Sequence, residues 1–254
     1  MRKYIVSLLV CVMLLCLAGC SVPEPKEPAV TLPPAQAATE LPVQMTTEPA
    51  VPTEITAPTE AAEFPEPEDD DLVRVIDYIP TIRQALAYAT VNNFTGQRIY
   101  DFTDAYLRYG TVKKLAKACE ELAEQGLGLL IWDAFRPVTA QAKLWEICPD
   151  ATYVSNPVTG NRSHCRGSAV DVTLVDLVTG EELPVPTGFD DFTDYADRDY
   201  SDCPEDAAAN ATLLENTMKK YGFKPYSAEW WHFADEDGYP VDEYFDPALT
   251  VGVG

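Results

Sequence analysis

Apolar residues follow three different patterns along the chain. From Tyr4 to Leu17 they form a nearly unbroken run. From Ser21 to Asp71 they are sparse and show neither a period of 2 nor one of 3.6, so no amphipathic helix or strand is predicted there. Beyond Leu72 periodicity sets in. Leu115, Ala118, Cys119 and Leu122 recur at helical spacing and predict a helix over Thr103 to Gln125, closed by Gly126. Leu127 to Trp132 is a short apolar run bounded by Asp133, as in a buried strand. Val138 to Ile147 reads as a short helix between Pro137 and Cys148-Pro149. Ser168 to Val175 alternates, with Val170, Val172 and Leu174 on one face and Ala169, Asp171 and Thr173 on the other. Glu205 to Tyr221 predicts a second long helix with Leu214, Met218 and Tyr221 on one stripe, and Trp231 to Ala234 a last strand. Helices and strands do not alternate strictly, so the expected class is α+β. The expected architecture is one compact domain with a small, mostly antiparallel central sheet flanked by helices.

Composition sharpens these boundaries. The 254 residues include 41 acidic and 18 basic side chains, a formal charge of −23. Such a surface repels phosphate backbones, so nucleic acid is not an expected partner, and no protein partner is indicated. Between Ser21 and Asp71 lie eleven prolines, twelve acids, one lysine and no glycine. This composition predicts an extended, disordered tether reaching on the order of 150 Å at about 3.1 Å per residue. Setting the tether aside, together with Arg2 and Lys3, leaves 29 acidic and 15 basic residues in the domain from Leu72 to Gly254.

The first segment reads as an address. Arg2 and Lys3 precede an apolar core too short for an ordinary membrane span but right for a signal peptide. It ends in Leu17-Ala18-Gly19-Cys20, which resembles the lipobox of bacterial lipoproteins. That resemblance implies cleavage after Gly19 and lipidation of Cys20, hence an extracytoplasmic protein held at the cell membrane. Cys119, Cys148, Cys165 and Cys203 then remain in the domain and permit three disulfide pairings.

The chain has only two histidines, and each lies close to an acid. His164 precedes Asp171 by seven residues, and Glu229 precedes His232 by three. Two imidazoles and one carboxylate, with a fourth position left to water, form a catalytic zinc set. His164, Asp171 and His232 are therefore the expected ligands of one zinc ion in a cleft, and Glu229 the expected acceptor of a water proton. One tension accompanies this reading. A regular strand points residues three apart to opposite faces, so a turn or bulge must bring Glu229 and His232 together. Cys165 beside His164 would instead make a closed structural site.

Segments His164 to Asp171, Glu229 to His232 and Trp132-Asp133-Ala134-Phe135-Arg136-Pro137 resemble VanX-type D-alanyl-D-alanine dipeptidases, which are zinc metallopeptidases. Tyr88 to Gly96 and Gly188-Phe189-Asp190 extend the likeness. The resemblance implies that His164, Asp171 and His232 bind zinc and that Glu229 is the general base. It further implies that Arg136 stabilises the tetrahedral transition state and that Asp190 holds the substrate ammonium. Family members often carry a serine two residues before the first histidine. Here Arg162 has that place and Ser163 adjoins His164, which makes Ser163 the candidate substrate contact of this loop. The implied substrate is a short D,D-dipeptide or a fragment of peptidoglycan. Two alternatives stand beside it, a D,D-carboxypeptidase acting on stem peptides and a zinc-stabilised binding module without turnover.

Overall fold

The structure is a computed structural model that describes residues 66–250. The leader, Cys20 and most of the expected tether lie outside the described residues. None of the described helices is long and apolar enough to cross a membrane.

The chain enters at Glu66, six residues inside the segment assigned by composition to the tether. These residues pack on the domain: Tyr109 donates its hydroxyl to Glu66 at 2.7 Å, and the carbonyls of Asp69 and Asp71 accept from the amides of Gly110 and Tyr109. An acidic stretch thereby lies over the start of a helix, where a negative charge is favoured.

Strand β1 (Leu72–Arg74) leads into a single turn, α1 (Val75–Tyr78), then β2 (Arg83–Gln84) and β3 (Tyr106–Arg108). β1 and β3 pair antiparallel. The long helix α2 therefore spans Tyr109–Ala123, not Thr103 onward. Ala105, Tyr106 and Leu107 are all buried, and a short continuous apolar run has no period to separate strand from helix. The other end falls at Ala123, two residues short of Gln125, and Gly126 at φ 75° closes the turn that follows.

β4 (Leu127–Asp133), α3 (Val138–Ile147), β5 (Ala169–Asp176), α4 (Glu205–Lys220), β6 (Phe223–Tyr226) and β7 (Glu229–Asp235) follow, and α5 (Pro247–Thr250) closes the described chain. The main sheet has the order β2-β4-β5-β7-β6. Only β2–β4 is parallel; the other three pairs are antiparallel. Periodicity missed β1, β2, β3 and β6, because two to four residues are too few to show a repeat.

Helices α2 and α4 pack against the sheet and each other. Leu115, Leu122, Leu214 and Met218 meet Leu129, Val172 and Leu174 in one core. β5 is the central strand, and Ala169 to Val175 are all buried, whichever face they occupy. The face carrying Asp171 and Thr173 is thus interior, and it opens only where the functional groups gather.

Candidate active site

The register of the central strands brings two distant residues together. β5 and β7 run antiparallel with Asp171 directly opposite His232, so both side chains leave the same face of the sheet. His164 comes from a tight turn, His164–Arg166, just before β5. Gly167 ends that turn at φ 69°, a conformation that glycine adopts without a Cβ penalty. The Nδ1 of His164 lies 2.8 Å from the carbonyl oxygen of Ala134. A carbonyl only accepts, so Nδ1 carries the proton and the lone pair of Nε2 turns inward.

Three donors converge there. His164 Nε2 is 3.2 Å from Asp171 Oδ2 and 3.2 Å from His232 Nδ1, and His232 Nδ1 is 2.9 Å from Asp171 Oδ1. A tetrahedral ion with bonds of about 2.0–2.1 Å sets its ligand atoms roughly 3.4 Å apart, so the donor set fits zinc with little adjustment. Among the described residues this is the one group of three such side chains close enough to share a cation. Burial disfavours the charge on Asp171, yet the two imidazoles outweigh it and hold the carboxyl well below its usual range. Cys165 is not in the set. It is fully buried, and burial pushes its thiol up to about 11, so no thiolate is at hand. Cys119, Cys148, Cys165 and Cys203 are all free thiols, and none of the three permitted pairings forms.

A bulge resolves the tension at Glu229. Pro225 pairs with Phe233 but Tyr226 with Glu229, so one step along β6 answers four along β7. The slack turns Glu229 back toward His232, and its Oε2 lies 3.8 Å from His232 Nδ1. Burial raises the Glu229 carboxyl above its ordinary value, against the pull of the imidazoles and Arg136. Trp230 and Phe233 are core residues, while Trp231 forms part of the cavity wall.

Arg136 follows β4, and its guanidinium is locked from two sides. Nε and Nη2 donate to Asp133 Oδ2 at 3.0 and 2.6 Å, and Nη1 donates to Gln141 Oε1 at 3.0 Å. Gln141 is tied in turn to the carbonyl of Ser155. Asp133 is fully buried and also accepts from Tyr100 at 2.7 Å and from the amide of Ala134. Asp133, Tyr88, Tyr100 and Gln141 thus belong to the site, although their spacing in the chain assigns them no role. The available signal was an acid three residues before Arg136, hidden because it also marks the end of a strand.

Asp190 lies at φ 56° and accepts from the Tyr88 hydroxyl at 2.9 Å. The Tyr88 ring sits below Arg136, with Cζ 5.0 Å from its centroid. Burial pushes the Asp190 carboxyl up to about 8, although Tyr88 and Arg136 act to lower it. Arg136, Ser163, His164, Asp171, Asp190, Glu229 and His232 all line one cavity of about 450 Å³.

A paired-imidazole site on an antiparallel sheet, with a second acid and a fixed guanidinium around one cavity, defines a metallopeptidase. The chain belongs to the D-ala-D-ala dipeptidase family, whose model matches residues 68–249. It is 37% identical over 163 residues to the D-alanyl-D-alanine dipeptidase of Escherichia coli K12, covering 64% of this chain and 83% of the relative. The enzyme of that name from Enterococcus faecium is 34% identical over 184 residues, 65% of this chain and 91% of the relative. That of Streptomyces coelicolor is 32% identical over 199 residues, 69% and 96% respectively.

Proposed function

We propose that the protein hydrolyses D-alanyl-D-alanine, or a similarly short D,D-dipeptide, and that it does so in peptidoglycan metabolism at the cell envelope. The observation that carries this reading is that one cavity holds the cation donors, two further acids and a fixed guanidinium together. His164, Asp171 and His232 would hold a zinc ion, which when bound would supply Lewis acidity and lower the pKa of water toward 7. Glu229 takes the proton of the attacking water on its carboxylate. It then delivers that proton to the leaving amine as the C–N bond breaks, leaving two molecules of D-alanine. Arg136 donates to the oxyanion that develops on the carbonyl oxygen. Its ties to Asp133 and Gln141 fix the fork before substrate arrives, and removal of one such donor costs about 10²–10³ in kcat. Asp190 pairs with the free ammonium of the dipeptide, and Ser163 contacts the substrate from the opposite loop.

A second reading rests on the size of the cavity. At about 450 Å³ it falls in the range that holds ligands larger than two alanines, which suits a D,D-carboxypeptidase trimming stem peptides. The zinc-loaded protein incubated with D-Ala-D-Ala, N-acetyl-D-Ala-D-Ala and a muramyl pentapeptide separates the two. Release of D-alanine from the free dipeptide, with at least tenfold lower kcat/KM on the acetylated one, is the expected result. Equal rates on free and acetylated substrates would make the carboxypeptidase the correct account, and activity that survives chelation would refute the metal mechanism.

A further inference from the structure

The site strand is bulged, and the residues in the bulge are not held by strand pairing alone. Arg198, in the loop between β5 and α4, supplies what the ladder lacks. Its Nε donates to the carbonyl of Tyr226 at 2.7 Å, and its Nη2 donates to the carbonyls of Glu229 at 3.0 Å and His232 at 2.9 Å. One guanidinium thus bonds both ends of the four-residue segment that turns Glu229 toward His232. Its backbone amide also donates to Ser227 in the β6–β7 turn. The guanidinium is itself fixed. Nη1 bonds Glu215 of α4 at 3.0 Å and the Tyr200 hydroxyl at 3.2 Å, and Cζ stands 4.6 Å over the Phe233 ring. Its side chain is only 11% exposed.

We propose that Arg198 is the positioning residue of this centre, setting the distance between the Glu229 carboxylate and the His232 imidazole by clamping their main chain. The proposal rests on the base and ligand roles assigned above. Its physical ground is that a planar fork with fixed donor directions can satisfy three divergent carbonyls at once, which the point charge of a lysine cannot. Groups that orient a metal ligand from behind carry about 10–100-fold of metal affinity or activity.

The test compares Arg198→Met, which keeps the packing on Phe233 but has no donors, with Arg198→Lys, Glu229→Gln and the Arg198→Met/Glu229→Gln double variant. Each is measured as full-length protein at saturating zinc, and zinc affinity is determined by competition with a chelator. The expected result for Arg198→Met is a 30- to 100-fold lower kcat with KM within threefold, and zinc bound about tenfold more weakly or worse. Arg198→Lys should fall between it and wild type. The double variant should be no slower than Glu229→Gln alone, because the clamp acts through Glu229. Wild-type kcat and zinc affinity in Arg198→Met, or full additivity in the double variant, would overturn the proposal. Should Arg198→Met fail to fold, Arg198→Lys decides: unchanged kcat and zinc affinity would overturn the clamp, and a fall in both at constant KM supports it. Wild-type activity in Glu229→Gln would refute the base instead, leaving zinc affinity to judge Arg198 through His232.

Discussion

Asp190 is the one residue other than glycine, among those described, with a positive φ. Aspartate and asparagine tolerate that backbone better than most side chains, so the position suits a short polar group before any ligand binds. Without substrate, burial pushes its carboxyl up to about 8, against an ordinary value of 3.8, and an ammonium brought beside it favours the charged form. The substrate-free folded chain therefore binds the carboxyl proton more tightly than the unfolded one. The stability it contributes is complete below pH 4 and is lost as pH rises through 8. Asp190→Asn removes that loss while keeping an acceptor for Tyr88. Expected is a Tm in the chelated variant on the order of 10 °C above wild type at pH 8.5, with the gap closing toward pH 5. The same substitution deprives the substrate ammonium of its counter-charge, and KM for D-Ala-D-Ala should rise about 10- to 100-fold at unchanged zinc content. A stabilised variant with unaltered KM would show that the carboxyl does not meet substrate. Asp133 makes a related point at this scale. Its chain position suggested only the end of a strand, whereas its burial and bonds to Tyr100 and Arg136 show it fixing the guanidinium.

Among the elements, the turn that carries His164 and the strand that carries Asp171 meet at Gly167. A Cβ there would strike Leu72 of β1, and φ 69° is strained for any L side chain. The carbonyl of Gly167 also accepts from the amide of Arg108 at 2.8 Å, which ties the turn to β3. Gly167→Ala is expected to destabilise the fold by about 1–3 kcal/mol, read as a lower urea midpoint at constant m-value. An unchanged midpoint would mean that the turn relaxes freely. The long elements were legible because their apolar residues repeat over several turns or pleats. α3 and α4 fall within a residue of the sequence expectation, and β4 and β5 lie where alternation and apolar runs put them. The start of α2 was not legible, since β3 differs from a first helical turn only by its pairing with β1.

On the scale of the whole molecule, we propose that lipidated Cys20 anchors this acidic domain outside the cytoplasm through the segment that precedes Glu66. Cys20→Ala is expected to move the protein from the membrane fraction to the soluble one, or to leave it uncleaved, with kcat of the domain unaltered; retention on membranes with an unmodified N-terminus would refute the anchor. The sequence by itself determined the chemistry on offer. Two histidines, each near an acid, and a short list of motif segments named the seven cavity residues from Arg136 to His232, because reactive side chains are few and their local spacing is printed in the chain. It also determined the class of fold, because burial of long periodic stripes allows few arrangements. What only the tertiary structure decided was distance. Asp171 and His232 meet through cross-strand register, Glu229 reaches the site through a bulge, and Asp133 and Arg198 hold the constellation from behind. Register, bulges and contacts across 31 or 34 residues are set by the packing of the entire sheet, and no local pattern encodes them.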